Sequence, residues 1–377
     1  MRIFLNNFSN LVDKIFHYCF NNLHKTTETE KVKLQKPAFL GKVLGNEGLD
    51  SRRHRLLLVA LLLCATLLLM MGVSLSLGAV SMTPQHLLQA IWHQGEPLYQ
   101  TILWDLRLPR ILAAVLVGAA LGTSGALLQG MLKNGLADPF LLGISAGAGL
   151  VTIAMFSFGL LQTWIPLASW SGGLLTSIIV YWLARRGNAI SIERLILGGV
   201  AVSSLFGAIQ SVLLLMAEDG QVQAALNWLI GSLNGRGWTE VKASGVYIVV
   251  ALLLGCLLAR TVNLLNLGDE LAVSLGVSIL RSRIFIGGIA SLLAASAVSI
   301  GGLIGFVGLI VPHGIRLLAG TDYRAVIPLS AVGGALVLTF ADLVARLGVV
   351  ELPVGAVTAL FGSPLFIWLL YRRQTGF

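Results

Sequence analysis

The chain has 377 residues, of which 56% are hydrophobic and only 11% are charged, and its formal net charge is +9. Because soluble domains carry about 25% charged residues, this composition excludes an ordinary soluble protein and indicates a membrane protein. In membrane proteins Lys and Arg collect in cytoplasmic loops and orient the chain, so the positive charge gives no reason to expect nucleic acid as a partner.

Residues 1–54 are polar and mixed in charge, and we interpret them as a cytoplasmic N-terminal extension without a packed core. No small-residue cleavage site is evident, so a cleaved secretory signal is not expected. An amphipathic turn or two over residues 4–20 and an over-long translation start are the alternatives. Residues 55–377 are expected to form one transmembrane domain.

Ten stretches have the length and apolarity of membrane-spanning helices, which need about 20 mostly apolar residues. They lie at 55–78, 108–131, 140–161, 165–184, 192–216, 243–260, 284–300, 302–320, 325–345 and 352–371. The boundary between the seventh and eighth stretches is the least defined, because only the glycine-rich "SIGGLIGFVG" separates them. The predicted fold class is therefore all-α: a polytopic membrane helical bundle with about ten transmembrane helices.

An even number of spans places both termini on the same side of the membrane. Basic residues are much rarer at the ends of the spans that lie opposite the termini, where only five occur: Arg107, Arg110, Arg236, Lys242 and Arg346. The positive-inside rule therefore predicts that both termini are cytoplasmic.

Small residues recur at four-residue spacing within the predicted spans, in "GAALG" from Gly118, "GISAG" from Gly143 and "GGLIG" from Gly301. Such spacing lets helix backbones approach closely in lipid, where no hydrophobic force drives helices together. The pattern predicts a tightly packed bundle and nothing more specific.

The motifs of several enzyme classes are missing from the sequence. There is no GxxxxGK[ST] phosphate loop, no HExxH pair and no paired Cys/His set, so we expect no nucleotide hydrolysis by this chain, no catalytic residues, no metal site and no cofactor. Ion-coupled carriers hold carboxylates deep in the membrane. The one candidate, Asp342, lies four residues before Arg346, and we interpret the two as a same-face helix pair.

The segment between the first two spans contains a predicted short helix that begins at "TPQHLLQAIWHQ", with Thr83 as its cap and Pro84 in its first position. Arg107 and Arg110 follow just before a span, and Arg346 lies at another outer end. Two interpretations of these arginines stay open: they anchor the helices at the membrane interface, or they form a basic outer rim that receives an acidic partner.

The segment "NLGDELAVSLGVSILRSR", from Asn266 to Arg283, is a short water-facing helix between long apolar stretches. Its acidic start suits a helix N-terminus, Leu271 and Leu275 lie on one face with Ala272 nearby, and Gly276 is placed to end the helix in a left-handed conformation. A helix of two turns is marginal alone. Its apolar face must therefore dock on its own bundle or, in addition, in a groove of a soluble partner.

A set of motifs, taken together in their order and spacing, resembles one known family. The motifs are "RLPRILAAVLVGAALGTSGALLQG", "NGLADPFLLGISAGAG", "RLILGGVA", "NLGDELAVSLGV", "GFVGLIVPHGIRLL", "TDYRAVIPLSA" and "ADLVARL...ELPVGAVTALFGSPLFIWLL". From about residue 55 to the C-terminus, the sequence resembles the FecCD/BtuC-type permease subunits of bacterial ABC importers for iron siderophores, heme and vitamin B12.

The resemblance implies an architecture and partners. Family members are ten-span subunits of the bacterial inner membrane that form homodimers or close heterodimers, bind two cytosolic ABC ATPase subunits and receive substrate from a periplasmic binding protein. It implies three sets of site residues: a coupling helix on the ATPase (Gly268, Asp269, Glu270, Leu271, Leu275 and Gly276), docking arginines for the binding protein (Arg107, Arg110 and Arg346), and a cytoplasmic gate (Asn134, Leu136, Ser191 and Ile192). The sequence departs from the family at Gly135, where proline is frequent, and at "SIER", where the residues are often small and polar.

The function expected from the resemblance is that of a permease subunit, not an enzyme, which moves a ferric siderophore or similar metal chelate into the cytoplasm with energy from a partner ATPase. The segment "ALNWLIGSLNGRGW" from Ala225 is more similar to iron-chelate members than to vitamin members. Heme or vitamin B12 as the substrate is the alternative, and an ion-coupled secondary carrier is a third interpretation. The lack of buried carboxylates argues against that carrier.

Overall fold

The computed structural model describes residues 49–374, apart from positions 79, 81, 161, 188 and 349. The predicted extension at 1–54 therefore lies almost entirely outside the described residues, and its boundary with the transmembrane domain stays a prediction. Apart from the first four residues of helix α1, the features described below belong to the compact unit that begins at Arg53.

The described chain is built almost entirely from helices. In chain order they are α1 (Leu49–Ser76), α2 (Pro84–Ile91), α3 (Pro97–Thr101), α4 (Leu108–Met131), α5 (Ile144–Ser157), α6 (Ile165–Ala184), α7 (Ile192–Met216), α8 (Asp219–Ile230), α9 (Trp238–Leu257), α10 (Ala259–Asn266), α11 (Asp269–Ser274), α12 (Ile279–Gly301), α13 (Val307–Ala319), α14 (Tyr323–Arg346) and α15 (Val354–Gln374). A π-helical turn at Ile102–Arg107 joins α3 to α4, and single 3₁₀ turns cover Pro139–Leu142 and Gln162–Trp164. A two-residue antiparallel hairpin, β1 (Arg185–Arg186) and β2 (Ala189–Ile190), joins α6 to α7.

Every one of the ten predicted spans contains an apolar helix, which confirms the predicted all-α membrane bundle. Seven helices of the described chain are long and apolar enough to cross a membrane, and three shorter apolar helices lie at Ile144–Ser157, Val307–Ala319 and Val354–Trp368. The protein is therefore a multi-pass membrane protein. The helices α8 and α10 were not predicted, because each is too short or too polar to resemble a span.

The glycine-rich break between the seventh and eighth predicted spans is wider than its sequence suggests. Helix α12 ends at Gly301 and α13 begins at Val307, and both Gly302 and Phe306 have a positive φ, at +71° and +68°. Non-helical backbone at membrane depth is tolerated only where protein encloses it. Here Gly302 and Ile304 are buried, and the carbonyl of Gly301 accepts a hydrogen bond from the N–H of Ser232 at 2.8 Å.

The core of the bundle is α4, which is buried along almost its whole length, whereas no residue in the most apolar part of α1 is fully buried. The "GAALG" motif explains how α4 is enclosed. A Cβ atom on Gly118 would overlap the carbonyl oxygen of Gly334 in α14, so the two backbones touch. This confirms that the small-residue motif at Gly118 serves close helix packing.

The polar ends of the helices fall at two opposite ends of the bundle. The end that contains α11 also contains the C-terminus of α4, the hairpin β1–β2 and the start of α12. The other end contains the C-terminus of α1, the start of α4 and the C-terminus of α14. We name them the α11 end and the Arg110 end.

Candidate functional site

The predicted short helix is present as α11, and both of its ends are formed by glycines. Gly268 precedes it with φ +116°, and Gly276 follows it with φ +84°. The N–H of Gly276 donates to the carbonyl of Val273, and the N–H of Val277 donates to that of Ala272, both at 2.9 Å. This pair of bonds is a Schellman motif. The predicted left-handed helix end at Gly276 is therefore confirmed.

Helix α11 packs on the bundle through a single buried side chain, and its large apolar side chains are uncovered. Ala272 is completely buried, whereas Leu271, Val273 and Leu275 are 57%, 58% and 59% exposed in the isolated chain. Docking on the chain's own bundle therefore accounts for Ala272 alone. Three large apolar side chains within seven residues remain uncovered at one polar end of the bundle, together with the exposed Glu270.

Asp269, the first residue of α11, pairs with two cations from other parts of the chain. Its Oδ1 lies 2.9 Å from Nζ of Lys133, and its Oδ2 lies 2.9 Å from a terminal nitrogen of Arg283. Partial burial raises the pKa of Asp269, but the hydrogen bonds and charges of Lys133 and Arg283 lower it more, so the net pKa is below its ordinary value. The carboxylate therefore stays ionised at any physiological pH.

The first predicted gate segment, residues 134–136, follows α4 at the α11 end. The side-chain oxygen of Asn134 accepts a hydrogen bond from the N–H of Leu136 at 2.9 Å, which folds the segment into an Asx turn. Asn134 is exposed and Leu136 is half-buried. The positive φ of this turn lies at Lys133, at +51°, and Gly135 does not have one.

The second predicted gate segment, residues 191–192, begins α7 directly after β2. The hydroxyl of Ser191 caps α7 and accepts a hydrogen bond from the N–H of Arg194 at 3.4 Å. Ile192 is the first residue of α7 and is half-buried. Both gate segments thus lie at the α11 end of the bundle, and their role as a gate stays a prediction.

The predicted docking arginines are not displayed as free positive charges. Arg107 is 6% exposed, and its guanidinium donates to backbone carbonyls of the α1 end, including those of Leu75, Ser76 and Val80. The side chains of Arg110 and Arg346 are 12% and 8% exposed. This corrects the interpretation of an open basic rim, because a buried guanidinium requires partners inside the protein. Whether these residues receive a binding protein stays a prediction.

The partners of Arg110 and Arg346 are carboxylates of the same chain. Arg110 lies 2.7 Å from Asp342 and 2.5 Å from Glu351, and Arg346 lies 3.1 Å from the other oxygen of Asp342. The predicted pair of Asp342 with Arg346 on one helix face is confirmed. The premise that buried carboxylates are lacking is wrong, because Asp342 is completely buried. Two arginines neutralise it, however, so it resembles a structural ion cluster more than a proton carrier.

A cavity of about 1200 Å³ opens at the Arg110 end. Aromatic and charged side chains line it together, among them Trp164, Trp170, Trp228, Tyr247 and Arg236. Trp228 and Arg236 belong to the segment "ALNWLIGSLNGRGW", whose predicted resemblance to iron-chelate members stays a prediction. The cavity therefore has room and aromatic surface for a large, planar solute, and Arg236 is accompanied in its lining by Glu240 and Glu351.

The sequence interpretation missed the residues that connect these elements, namely Lys133, Arg283 and Glu351. The first two were counted only as positive charges that orient the chain. For Arg283 a signal existed: it lies near the start of a long apolar helix, and a charge in such a position is rare unless it has a specific partner. The other two give no such signal, because they are ordinary loop residues.

Comparison with known proteins agrees with this arrangement. The profile of the FecCD transport family matches residues 57–372. The chain is 38% identical over 335 residues to the hemin transport system permease protein HmuU of Yersinia pestis, and the alignment covers 86% of this chain and 98% of that protein. It is 38% identical over 320 residues to the Fe(3+) dicitrate transport system permease protein FecD of Escherichia coli, and the alignment covers 84% of this chain and 97% of that protein.

A vitamin B12 import system permease protein, BtuC of Escherichia coli, is 36% identical over 316 residues and covers 82% of this chain and 94% of that protein. Among solved structures, an inward-facing conformation of a metal-chelate type ABC transporter superposes with a TM-score of 0.76 and 31% identity, and it covers 82% of this chain and 97% of the other. The matched region includes all ten apolar helices and the segments at both ends of the bundle, and the chain therefore belongs to the FecCD transport family.

Proposed function

We propose that this chain is the permease subunit of an ATP-binding-cassette importer that moves a ferric siderophore or a similar metal chelate across the bacterial inner membrane into the cytoplasm. The observation that carries the proposal is the exposure of three large apolar side chains in and directly after α11, those of Leu271, Val273 and Leu275. An exposed apolar patch on a polar end of a membrane bundle is typical of a docking surface. The occupant we propose is a cytosolic ATPase subunit, because the chain has no phosphate loop of its own.

The proposed assembly contains two permease subunits, identical or closely similar, two ATPase subunits at the α11 end and a periplasmic binding protein at the Arg110 end. Both termini are then cytoplasmic, in agreement with the distribution of basic residues. ATP binding draws the two α11 helices together, and this movement switches the pathway between outward-open and inward-open states. No bond of the substrate breaks during this cycle.

The chelate class is supported by the names of the relatives, which transport hemin, Fe(3+) dicitrate and vitamin B12, and by the lining of the cavity at the Arg110 end. The aromatic side chains suit a chelate with planar groups. Heme and vitamin B12 are the alternative substrates. Uptake into proteoliposomes by the complete complex, compared for a ferric siderophore, hemin and cobalamin, discriminates between the three.

The docking role of α11 is tested by co-purification of the ATPase with the permease in detergent. We expect Leu271→Asp combined with Leu275→Asp to release the ATPase, because two carboxylates would be buried in an apolar groove. The matched control is Leu88→Asp combined with Leu98→Asp, on helices α2 and α3 at the Arg110 end, where both side chains are also 59% exposed. Both variants are first checked for folding by size-exclusion chromatography.

Retention of the ATPase by the α11 variant, or its release by both variants alike, would contradict docking on α11. If no ATPase co-purifies with the intact protein, the permease proposal itself is wrong and an ion-coupled carrier must be considered.

A further inference from the structure

Asp269 is the first residue of α11, and the two oxygens of its carboxylate bind different partners, each of which leads to one predicted gate segment. Oδ1 accepts a hydrogen bond from Nζ of Lys133, and Oδ2 accepts one from Arg283, both at 2.9 Å. Lys133 directly precedes the first gate segment. One side of the carboxylate is therefore a single residue away from Asn134.

Arg283 extends the connection to the second gate segment. One of its terminal nitrogens binds Asp269, and the other donates to the carbonyl of Ile190 at 2.9 Å. Ile190 ends β2 and directly precedes Ser191. The side chain of Arg283 is 8% exposed, so this part of the connection is enclosed by protein. A planar guanidinium with fixed donors can hold two acceptors in a defined geometry.

The backbone conformation of Lys133 also indicates that the surrounding structure fixes the position of this residue. Lys133 has φ +51°, in the left-handed region that residues other than glycine rarely adopt. Such conformations persist where the surrounding structure determines them. The carbonyl of Gly130 accepts a hydrogen bond from the N–H of Lys133, and that of Gln129 accepts one from the N–H of Asn134, at 3.4 and 3.1 Å. The ion pair with Asp269 holds the side chain of the same residue.

We propose that Asp269 is a positioning residue that ties the movement of α11 to both gate segments at once, through Lys133 on one side and through Arg283 and Ile190 on the other. This inference rests on the proposed function. In this arrangement the uncovered apolar side chains of α11 contact the ATPase, and the carboxylate of Asp269 at the start of the helix contacts the bundle. A displacement of α11 then pulls residues 134–136 and 191–192 together, because one side chain connects to both.

The test uses the complete complex of permease, ATPase and binding protein in proteoliposomes, and it measures ATP hydrolysis and chelate uptake in parallel. For Asp269→Asn, which keeps the size of the side chain and removes its charge, we expect the ATPase to remain bound and to hydrolyse ATP. The number of chelates moved per ATP should fall by at least about fivefold. This factor is the lower end of the range by which two coupled sites of a protein affect each other. Asp269→Glu, which keeps the charge, should restore much of the ratio.

Two further variants make the result specific. Lys133→Gln changes an exposed side chain, so it is expected to fold, and it should lower the ratio by itself. Because Lys133 and Asp269 act through one contact, combining Lys133→Gln with Asp269→Asn should lower the ratio by less than the product of the two single effects. Arg260→Gln is the matched control for Lys133→Gln: it removes a positive charge from an exposed residue of α10 and should leave the ratio unchanged.

Three outcomes would overturn the proposal. An unchanged ratio in both Asp269→Asn and Lys133→Gln means that the connection does not transmit movement. Loss of the ATPase from Asp269→Asn means that the carboxylate contacts the ATPase and not the gate segments. Full multiplication of the two effects means that the residues act separately. Each differs from failure of the proposed function, in which the intact protein itself binds no ATPase.

Discussion

At the scale of the residue, the connection between α4 and α5 contains one carboxylate, that of Asp138, whose ionisation is made costly by desolvation. Desolvation raises the pKa of Asp138 to about 6, although the hydrogen bond from the N–H of Phe140 acts in the opposite direction. A carboxyl pKa raised above its unfolded value means that the folded state binds the proton more tightly. Stability should therefore fall as the pH rises from about 4 to about 6 and then level off.

Asp138→Asn tests whether stability falls, as argued, when Asp138 loses its proton. The amide keeps an oxygen that can accept from the N–H of Phe140, 2.9 Å away, and it removes the charge of this half-buried side chain. We expect the variant to melt at a higher temperature than the wild type at about pH 7.5, with a smaller difference at about pH 5. Asp219→Asn, at an exposed position of α8, is the control and should show no such difference between the two pH values. A lower melting temperature for Asp138→Asn at neutral pH would refute the desolvation argument.

Arg110 provides a second prediction at this scale. Its replacement by Gln leaves Asp342 completely buried with one arginine instead of two. Breaking a buried ion pair costs about 3–5 kcal/mol, because an uncompensated charge remains. We expect Arg110→Gln to lose most of its folded yield in detergent, and the combination with Asp342→Asn to recover part of it. If the double variant is no better than Arg110→Gln alone, neutralising Asp342 is not what Arg110 contributes to folding, and its contact with Glu351 is the one that matters.

At the scale of the element, the contact between α4 and α14 depends on the absence of two side chains. Gly118 and Gly334 face each other so closely that a methyl group on Gly118 would overlap backbone atoms of α14. Backbone atoms cannot move aside as a flexible side chain does, so we expect Gly118→Ala to separate the helices and lower the thermal stability of the bundle. Gly288→Ala, on α12, is the matched control, because its added methyl group would meet no atom within 4 Å.

The control should be neutral or slightly stabilising, since alanine favours a helix over glycine by about 1 kcal/mol. Thermal unfolding of both variants in the same detergent checks the prediction. Equal melting temperatures for Gly118→Ala and Gly288→Ala would show that α14 can move without cost.

At the scale of the whole molecule, the predicted domain boundary can be tested by truncation. The family profile begins at residue 57 and helix α1 begins at Leu49, so we expect a chain that starts at residue 49 to insert and to bind the ATPase as the full chain does. A chain that starts at residue 83 is the control. It lacks the carbonyls of Leu75 and Ser76 that hold Arg107, so it should fail to accumulate in a folded form. Loss of ATPase binding by the first truncation would assign residues 1–48 a part in assembly.

The sequence by itself determined the features that depend on local or composition-level physics. The ten apolar helices follow from the length of chain needed to cross hydrocarbon, and the ends of α2 and α11 follow from Thr83 and Gly276, whose conformational preferences act within a few residues. The pair of Asp342 with Arg346 follows from helical spacing alone. Close packing at Gly118 follows from the need of helices in lipid to touch by their backbones.

Only the tertiary structure decided which distant groups meet. For Arg110 the sequence left interfacial anchoring and an acidic partner both open, and folding brings it to Asp342 and Glu351, more than two hundred positions away in the chain. Asp269 likewise meets Lys133 through the packing of separate helices at the α11 end, and no local pattern encodes that meeting. The physical reason is that a buried charge must find a counter-charge wherever the packed backbones place one, and helix packing in lipid is set by shape over the whole bundle.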